Sequence, residues 1–310
     1  MNRSLVSVIV ALAAVLVIFL LVVWIGGAVN ESLQLDATAV LRFGFVGLGL
    51  VLAFVIYWLT RANKAWEVGT REVVYMAIGA ALYAVFSFLF NGTVFVVPSV
   101  SQVALRPAIA IVMFFGYIFG PVVGFFTGAV GNMVGDALTG FGLSPQWSVG
   151  NGLIGLISGM VFLFTDKKKS MDTVLIVSAA LASLATAIYV FNAAQPNLLF
   201  FDVPNNIFGD QPITLFAGLS AVVGFVLVLI VRFAFAKDID LGAAVTWGML
   251  GNFIGLGFAA ISDIWINGYP PAVAIVGEFL PAAGPNLIFA AILVPLLVAA
   301  YAALRRQTGR

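Results

Sequence analysis

The chain has 310 residues, of which 63% are hydrophobic and 9% charged, with a formal net charge of +1. A mean hydropathy of +1.15 excludes an ordinary soluble domain. The absence of histidine and cysteine removes imidazole and thiolate metal sites, disulfides, haem ligation and His- or Cys-based nucleophilic catalysis.

A bilayer-spanning helix uses about 20 apolar residues, so this composition suffices for about ten spans. Apolar runs bounded by charged, Gly, Pro or Asn clusters predict helices at 5–27, 38–60, 72–92, 105–119, 121–139, 147–165, 172–194, 213–235, 243–267 and 280–304. The expected fold is an all-α integral membrane protein, a polytopic helix bundle. The first run follows Arg3 and precedes Gly26-Gly27-Ala28, but it is longer than a typical signal sequence and reads as a retained span. The fourth and fifth runs are short and meet at Gly120-Pro121, so they read as two spans or as one broken, tilted pair. No soluble domain intervenes, the longest polar stretches being 195–212 and 236–242.

With the N-terminus in the cytoplasm, the inside segments hold Arg3, Arg61, Lys64, Arg71, Lys167, Lys168, Lys169, Arg232, Lys237, Arg305, Arg306 and Arg310, which is 12 of the 14 basic residues. Arg42 and Arg106 fall near the outer side. The positive-inside rule therefore supports a multi-pass protein of the cell membrane with both termini cytoplasmic.

Charge within or beside a span is costly, which makes four residues of the outer half functional candidates: Arg106, Asp136, Asp263 and Glu278. The alternative is a set of interfacial charges, or a structural ion pair such as Arg106 with Asp136. Asn132, Gln146, Asn151, Asn267 and Asn286 add amides that both donate and accept, suited to a heterocycle or to helix-to-helix bonding. Trp147, Trp265 and Tyr269 read as an interfacial belt or as stacking walls for a ring. On the third span, Ala77, Ala80, Ala81 and Ala84 form a flat face that packs within the chain or against another protein. Gly152, Gly155, Ser158 and Gly159 form a second close-packing face. The segments 131–135 and 251–255 both read Gly-Asn-x-x-Gly, a short echo of the kind that parallel repeats leave and that chance also produces in a Gly-rich chain.

Several ordered blocks carry a resemblance. They are Arg71 with Ala77-Ile78-Gly79-Ala80-Ala81-Leu82, then Ile118-Phe119-Gly120-Pro121-Val122-Val123-Gly124-Phe125, then Trp147 with Asn151-Gly152-Leu153-Ile154-Gly155-Leu156. Ile261-Ser262-Asp263-Ile264-Trp265-Ile266, Gly277-Glu278-Phe279, Asn286 and Tyr301 follow. In this order they resemble the S components of energy-coupling factor (ECF) vitamin transporters, over about 70–165 and 240–305. The resemblance implies a six-helix S-component-like core within 67–310, with 172–235 a two-helix insertion and 1–66 two extra helices.

It also implies a receptor that binds a micronutrient, with a thiamine-type precursor among the candidates, and reorients when a coupling membrane subunit and two ATPase subunits act on it. Ala77, Ala81 and Ala84 would then pack on the coupling subunit, and Thr93 to Ala104 would gate the ligand. Asp136, Trp147 and Asn151 match pocket-side positions. The substrate set expected on residues and resemblance together is Arg106, Asn132, Asp136, Trp147, Asn151, Asp263, Trp265, Glu278 and Asn286.

Three acids against one Arg favour a neutral or cationic ring compound. The chain has no Gly-x-x-x-x-Gly-Lys-Ser/Thr loop, so ATP hydrolysis would belong to partners. No cofactor, metal or nucleic-acid partner is expected. The competing reading is a self-contained secondary transporter in which Asp136, Asp263 or Glu278 carries a coupling ion. An enzyme is disfavoured because no motif organises a nucleophile and a base. Every lysine falls in a loop, which sets aside a retinal Schiff base.

Overall fold

The computed structural model describes residues 3–90, 106–140, 142–192, 201–202, 207–208 and 215–308. Helices α1 (Arg3–Val29), α2 (Ala39–Thr60), α3 (Thr70–Phe88), α4 (Ile109–Phe119), α5 (Pro121–Thr139) and α6 (Pro145–Gly159) are followed by α7 (Lys167–Phe191), α8 (Leu215–Ala234) and α9 (Ile239–Ile266). The last helical segment is α10 (Pro271–Val273), a π-helical stretch (Ala274–Phe279) and α11 (Leu280–Thr308). A two-residue antiparallel ladder pairs Phe201–Asp202 with Ile207–Phe208. Among the described residues, nine helical segments are long and apolar enough to cross a membrane.

The fourth expected span is corrected. At 11 residues α4 extends about 16 Å, half of the hydrocarbon thickness. Gly120, at φ 101°, then reverses the chain within one residue, and Pro121 opens α5 where a missing N–H costs no helical bond. Because α4 runs back along only part of α5, its first residues end inside the bundle, and Arg106 is held at the depth of Asn132.

The last span is longer than the expected 280–304. Helical structure runs without a break from Pro271, so Glu278 lies inside the segment and not ahead of it. Pro281 lacks the N–H that would bond back to the preceding turn, and the ladder shifts to the wider π pattern over Ala274–Phe279. α7 starts at Lys167, earlier than predicted, with the Asp166 carboxylate capping the Lys169 N–H; its three lysines occupy a first turn, not a loop.

α5, α6 and α9 form the centre, mostly buried, with α3 packed on α5, α4 on α5 and α6, and α11 on α9. Gly124 and Gly155 bring α5 and α6 into backbone contact: a Cβ on Gly155 would lie 2.0 Å from the Gly124 carbonyl oxygen. Outside this centre, α1 lies on α5, α2 on α6, and α7 and α8 on α9 and α11.

The connections sort into two ends. At one, Asn63 Nδ2 donates to the Phe162 carbonyl at 3.1 Å, Lys167 pairs with Asp240 at 2.6 Å and Arg232 with Asp172 at 2.6 Å. This is the lysine end. At the far end, Ser32 Oγ donates to the Gly140 carbonyl at 2.9 Å, and Arg42, Arg106, Gln146 and Asp263 meet their partners. The exposed residues of the peripheral helices are chiefly Val, Leu, Ile, Phe and Trp, as a lipid-facing surface requires.

Candidate functional site

Two hydrogen-bonded clusters occupy the far end, joined by the first two turns of α6. In the first, Asn132 and Asp136 stand one turn apart on α5 and share Arg106: its Nη1 donates to Asn132 Oδ1 and its Nη2 to Asp136 Oδ1 at 3.2 Å. Asn132 Nδ2 donates to Asp136 Oδ2 at 2.8 Å and to Ser148 Oγ at 3.0 Å. From α3, the Tyr83 hydroxyl reaches Asn132 Oδ1 at 3.4 Å and Asn151 Oδ1 at 3.2 Å. Asn151 Nδ2 donates to Asn132 Oδ1 at 3.3 Å and to the Trp147 carbonyl at 2.9 Å. Tyr83, Asn132, Ser148 and Asn151 are buried, and so is Asp136. The guanidinium and the amide offset part of the cost of burying this carboxylate.

The second cluster is built on Asp263, in the last turn of α9. Trp147 Nε1 donates to its Oδ2 at 2.7 Å and Gln146 Nε2 to its Oδ1 at 3.1 Å. Arg42 Nη1 reaches Gln146 Oε1 at 3.4 Å. The Glu278 side chain, brought in by the π-helical stretch, lies against Asp263, and both are buried. Tyr269, in the connection after α9, is half-buried beside them. Burial pushes its phenol up to about 12, the Glu278 and Asp263 carboxyls adding to the effect, so the hydroxyl stays neutral and able to donate.

The structure thus brings together Arg106, Asn132, Asp136 and Asn151 in one cluster and Trp147, Asp263 and Glu278 in the other. It does not bring in two expected residues. Trp265 is 59% exposed and packs on Phe45 at 5.8 Å, on the outside of the bundle. Asn286 Nδ2 donates to Asn252 Oδ1 at 3.1 Å, and Asn252 Nδ2 to the Ala283 carbonyl at 2.9 Å. That pair ties α9 to α11 about 16 Å along α9 from Asp263, a helix-to-helix bond and no part of the far-end clusters.

Five participants were absent from the expected substrate set: Gln146 and Tyr269, noted only as an amide and an aromatic of the outer side, and Tyr83, Ser148 and Arg42. Tyr83 carried a usable signal, since a tyrosine on a small-residue helix face needs a partner for its hydroxyl. Ser148 carried none, whereas Arg42 carried the same signal as Arg106, a charge at the outer end of an apolar run. With Arg42 counted, the two clusters set three acids against two arginines, not one.

The alanine face also divides. Ala77 and Ala81 are exposed, with Ile78, Leu82 and Val85 beside them. Ala84 is buried and faces α5, where a Cβ on Gly135 would meet its Cα at 3.5 Å. The expected gate, Thr93 to Ala104, lies outside the described residues. A recess of about 340 Å³ lined by Thr60, Ala62, Asn63 and Leu163 lies at the lysine end, away from both clusters.

Residues 67–194, which hold α3 through α7, match the family model described as "ECF-type riboflavin transporter, S component". Over 166 residues the chain is 32% identical to a UPF0397 protein of Vibrio atlanticus, covering 51% of this chain and 88% of that protein. The chain belongs to the UPF0397 family of ECF S components. UPF0397 proteins of Aliivibrio salmonicida and Aliivibrio fischeri strain MJ11 are 33% and 34% identical over 102 residues, which is 33% of this chain and 54% of each relative. In those two alignments the chain spans about half the relative's length. No solved structure matches the chain. As a UPF0397 S component it is a multi-pass, substrate-binding membrane subunit of an ECF transporter. S components are transporter subunits, not enzymes.

Proposed function

We propose that this S component captures a vitamin or vitamin precursor from outside the cell at the far-end clusters and carries it inward, with ATP hydrolysed by two partner ATPase subunits. The observation that carries this reading is the buried meeting of Arg106, Asn132, Asp136, Tyr83 and Asn151, from α3, the start of α4, α5 and α6. Side chains that both donate and accept, fixed on helices, are suited to read the edge of a nitrogen heterocycle. The lysine end faces the cytoplasm by the positive-inside rule, which turns the clusters outward and keeps both termini inside. Two compounds fit the ring-sized, uncharged-to-cationic class: riboflavin, which the matching family model names, and a thiamine-type precursor.

The six-helix core is α3, α4, α5, α6, α9 and α11. The first two helices and α7 with α8 are additions that flank it. The exposed face of α3 around Ala77 and Ala81 docks on the coupling membrane subunit, small residues there allowing close helix approach.

The test is native mass spectrometry of the purified chain together with uptake in proteoliposomes. A co-purifying vitamin, and uptake that needs the coupling module and ATP, are expected. Uptake by this chain alone on a proton or sodium gradient would overturn the dependence on ATPases and establish an ion-coupled secondary transporter. The adjoining Asp263 and Glu278 carboxyls are the one observation that favours that second reading.

A further inference from the structure

The recess of about 340 Å³ at the lysine end has no part in either far-end cluster. Thr60, Ala62 and Asn63 line it from the end of α2 and the residues just after, and Leu163 lines it from the turn that follows α6. Two side-chain bonds fix its walls: Asn63 Nδ2 donates to the Phe162 carbonyl at 3.1 Å, and Trp66 Nε1 donates to Thr60 Oγ1 at 3.0 Å. Trp66 is buried edge-on against Tyr57, with ring centroids 5.5 Å apart, so the wall behind Thr60 is packed. Among the described residues Asn63 spends one amide hydrogen, and its second is free to donate.

Apolar groups and cations border the recess together. Trp58 and Leu59 on α2, and Phe162 and Phe164 after α6, are exposed. Trp58 stands one helical turn before Ala62 and so on the same side of α2. The Arg61 guanidinium lies over the Trp58 ring, 3.8 Å from its centroid, and Lys64 is exposed. A few residues beyond Leu163, Lys168 and Lys169 are exposed in the first turn of α7. Among the described residues none of these four cations forms an ion pair, whereas Lys167 is held by Asp240. Glu67 and Asp166 are the acids of the same two segments, and Asp166 Oδ1 is engaged by the Lys169 N–H. Positive charge is therefore in excess.

A polar recess with lipid-facing aromatic sides and unpaired cations is complementary to an amphiphile with an acidic head. A guanidinium lying flat on an indole keeps its in-plane N–H donors free, and those match two phosphate oxygens at once. Lys64 supplies a point charge three residues on, and the free Asn63 N–H a neutral donor. The Trp58 and Phe162 rings then meet the start of the acyl chains, at the level where membrane proteins carry aromatic belts. A free phosphate compound would use the cations and leave the rings without a partner. The volume lies near the lower end of small-ligand sites, about 300–1,000 Å³, as one headgroup requires.

We infer that the recess between the end of α2 and the turn after α6 binds the phosphate of an anionic phospholipid, with Arg61 and Lys64 as its cations and Asn63 as a donor. Basic pockets between membrane helices take acidic headgroups in this way. The site lies at the opposite end of the bundle from the proposed vitamin site and stands without it. A lipid seated there bridges α2, one of the two helices that precede the family-matched segment, to α6 within that segment.

The experiment is native mass spectrometry of the full chain, reconstituted in vesicles of equal parts phosphatidylglycerol and phosphatidylcholine and taken up again in mild detergent. Retention of one phosphatidylglycerol in preference to phosphatidylcholine is expected. Occupancy should fall by about tenfold or more in the double variant Arg61→Gln with Lys64→Gln, since each cation near an acidic headgroup contributes about a factor of five. A second double variant, Lys237→Gln with Arg306→Gln, removes the same charge from other connections of the lysine end and should keep its lipid. Ala62→Trp leaves every charge in place, fills the recess and should lose the lipid too. All replaced side chains are exposed, so each variant should elute as the parent does in size exclusion. Equal losses in the two double variants would make the attraction a property of the whole surface and overturn the site. Full retention in Ala62→Trp, equal retention of phosphatidylcholine, or displacement of the lipid by inorganic phosphate would overturn it as well.

Discussion

Arg106 and Asp136 meet at 3.2 Å, with side chains 25% and 11% exposed, and the pair joins the start of the short α4 to the last turn of α5. Removing one partner leaves a largely buried charge, which costs more than the pair contributes. Arg106→Gln is therefore expected to lower stability by about 2–3 kcal/mol, and adding Asp136→Asn to return most of it. Ligand affinity should stay lost in the double variant. Thermal unfolding in detergent, run beside ligand binding, separates the two effects.

The α5–α6 contact allows a sharp contrast between two glycines. Gly155→Ala places a methyl 2.0 Å from a backbone oxygen that cannot move aside, and about 3 kcal/mol of destabilisation is expected. Gly47→Ala, on the outward side of α2 with nothing within 4 Å, should stabilise by about 0.5–1 kcal/mol through helix propensity. Denaturation midpoints of the two variants test the difference, and equal midpoints would refute the close packing of α5 on α6.

The division of the alanine face gives a prediction about assembly. Ala81→Trp adds bulk to the exposed side of α3 and should leave folding and ligand binding unchanged while abolishing co-purification with the coupling module. Ala84→Trp drives the same bulk into α5 and should reduce the yield of folded protein. Size-exclusion profiles and pull-down of the module distinguish the cases. Normal co-purification of the Ala81 variant would remove the docking face from α3.

At the lysine end, Asp240 Oδ1 accepts from Tyr117 at 2.7 Å and from Lys167 at 2.6 Å. The lysine pair is solvent-exposed, and Lys167→Ala should change stability by no more than about 0.5 kcal/mol. The Tyr117 hydroxyl is more enclosed, and Tyr117→Phe should cost about 1 kcal/mol. A larger loss in the lysine variant than in the phenylalanine one would reverse this ranking, with thermal melts as the measurement.

Composition and periodicity alone determine that this chain is a membrane bundle. Apolar runs of about 20 residues have no other stable home, and a backbone in lipid must satisfy its own hydrogen bonds as helix. The sorting of basic residues also predicts which connections share an end, and Asn63 with Phe162, or Ser32 with Gly140, are contacts of the expected kind. Charged residues stand out against such a background, so Arg106, Asp136, Asp263 and Glu278 were visible as candidates.

Tertiary structure alone decided how they pair. The fragment Ile109–Phe119 is helical by pattern at any depth, and only its packing on α5 and α6 sinks Arg106 to the level of Asn132. Glu278 reads as a residue ahead of a span until the π-helical stretch continues the helix around it and turns it towards Asp263. Asn132 and Asn286 are alike in sequence, each an amide in an apolar run. One joins a charged cluster and the other a plain helix-to-helix bond, because their partners come from different helices. Sequence fixes which side chains are costly to bury, since that cost is a property of the residue and its solvent. Which partner offsets the cost depends on helix length, depth and rotation, and those are set by packing between segments far apart in the chain.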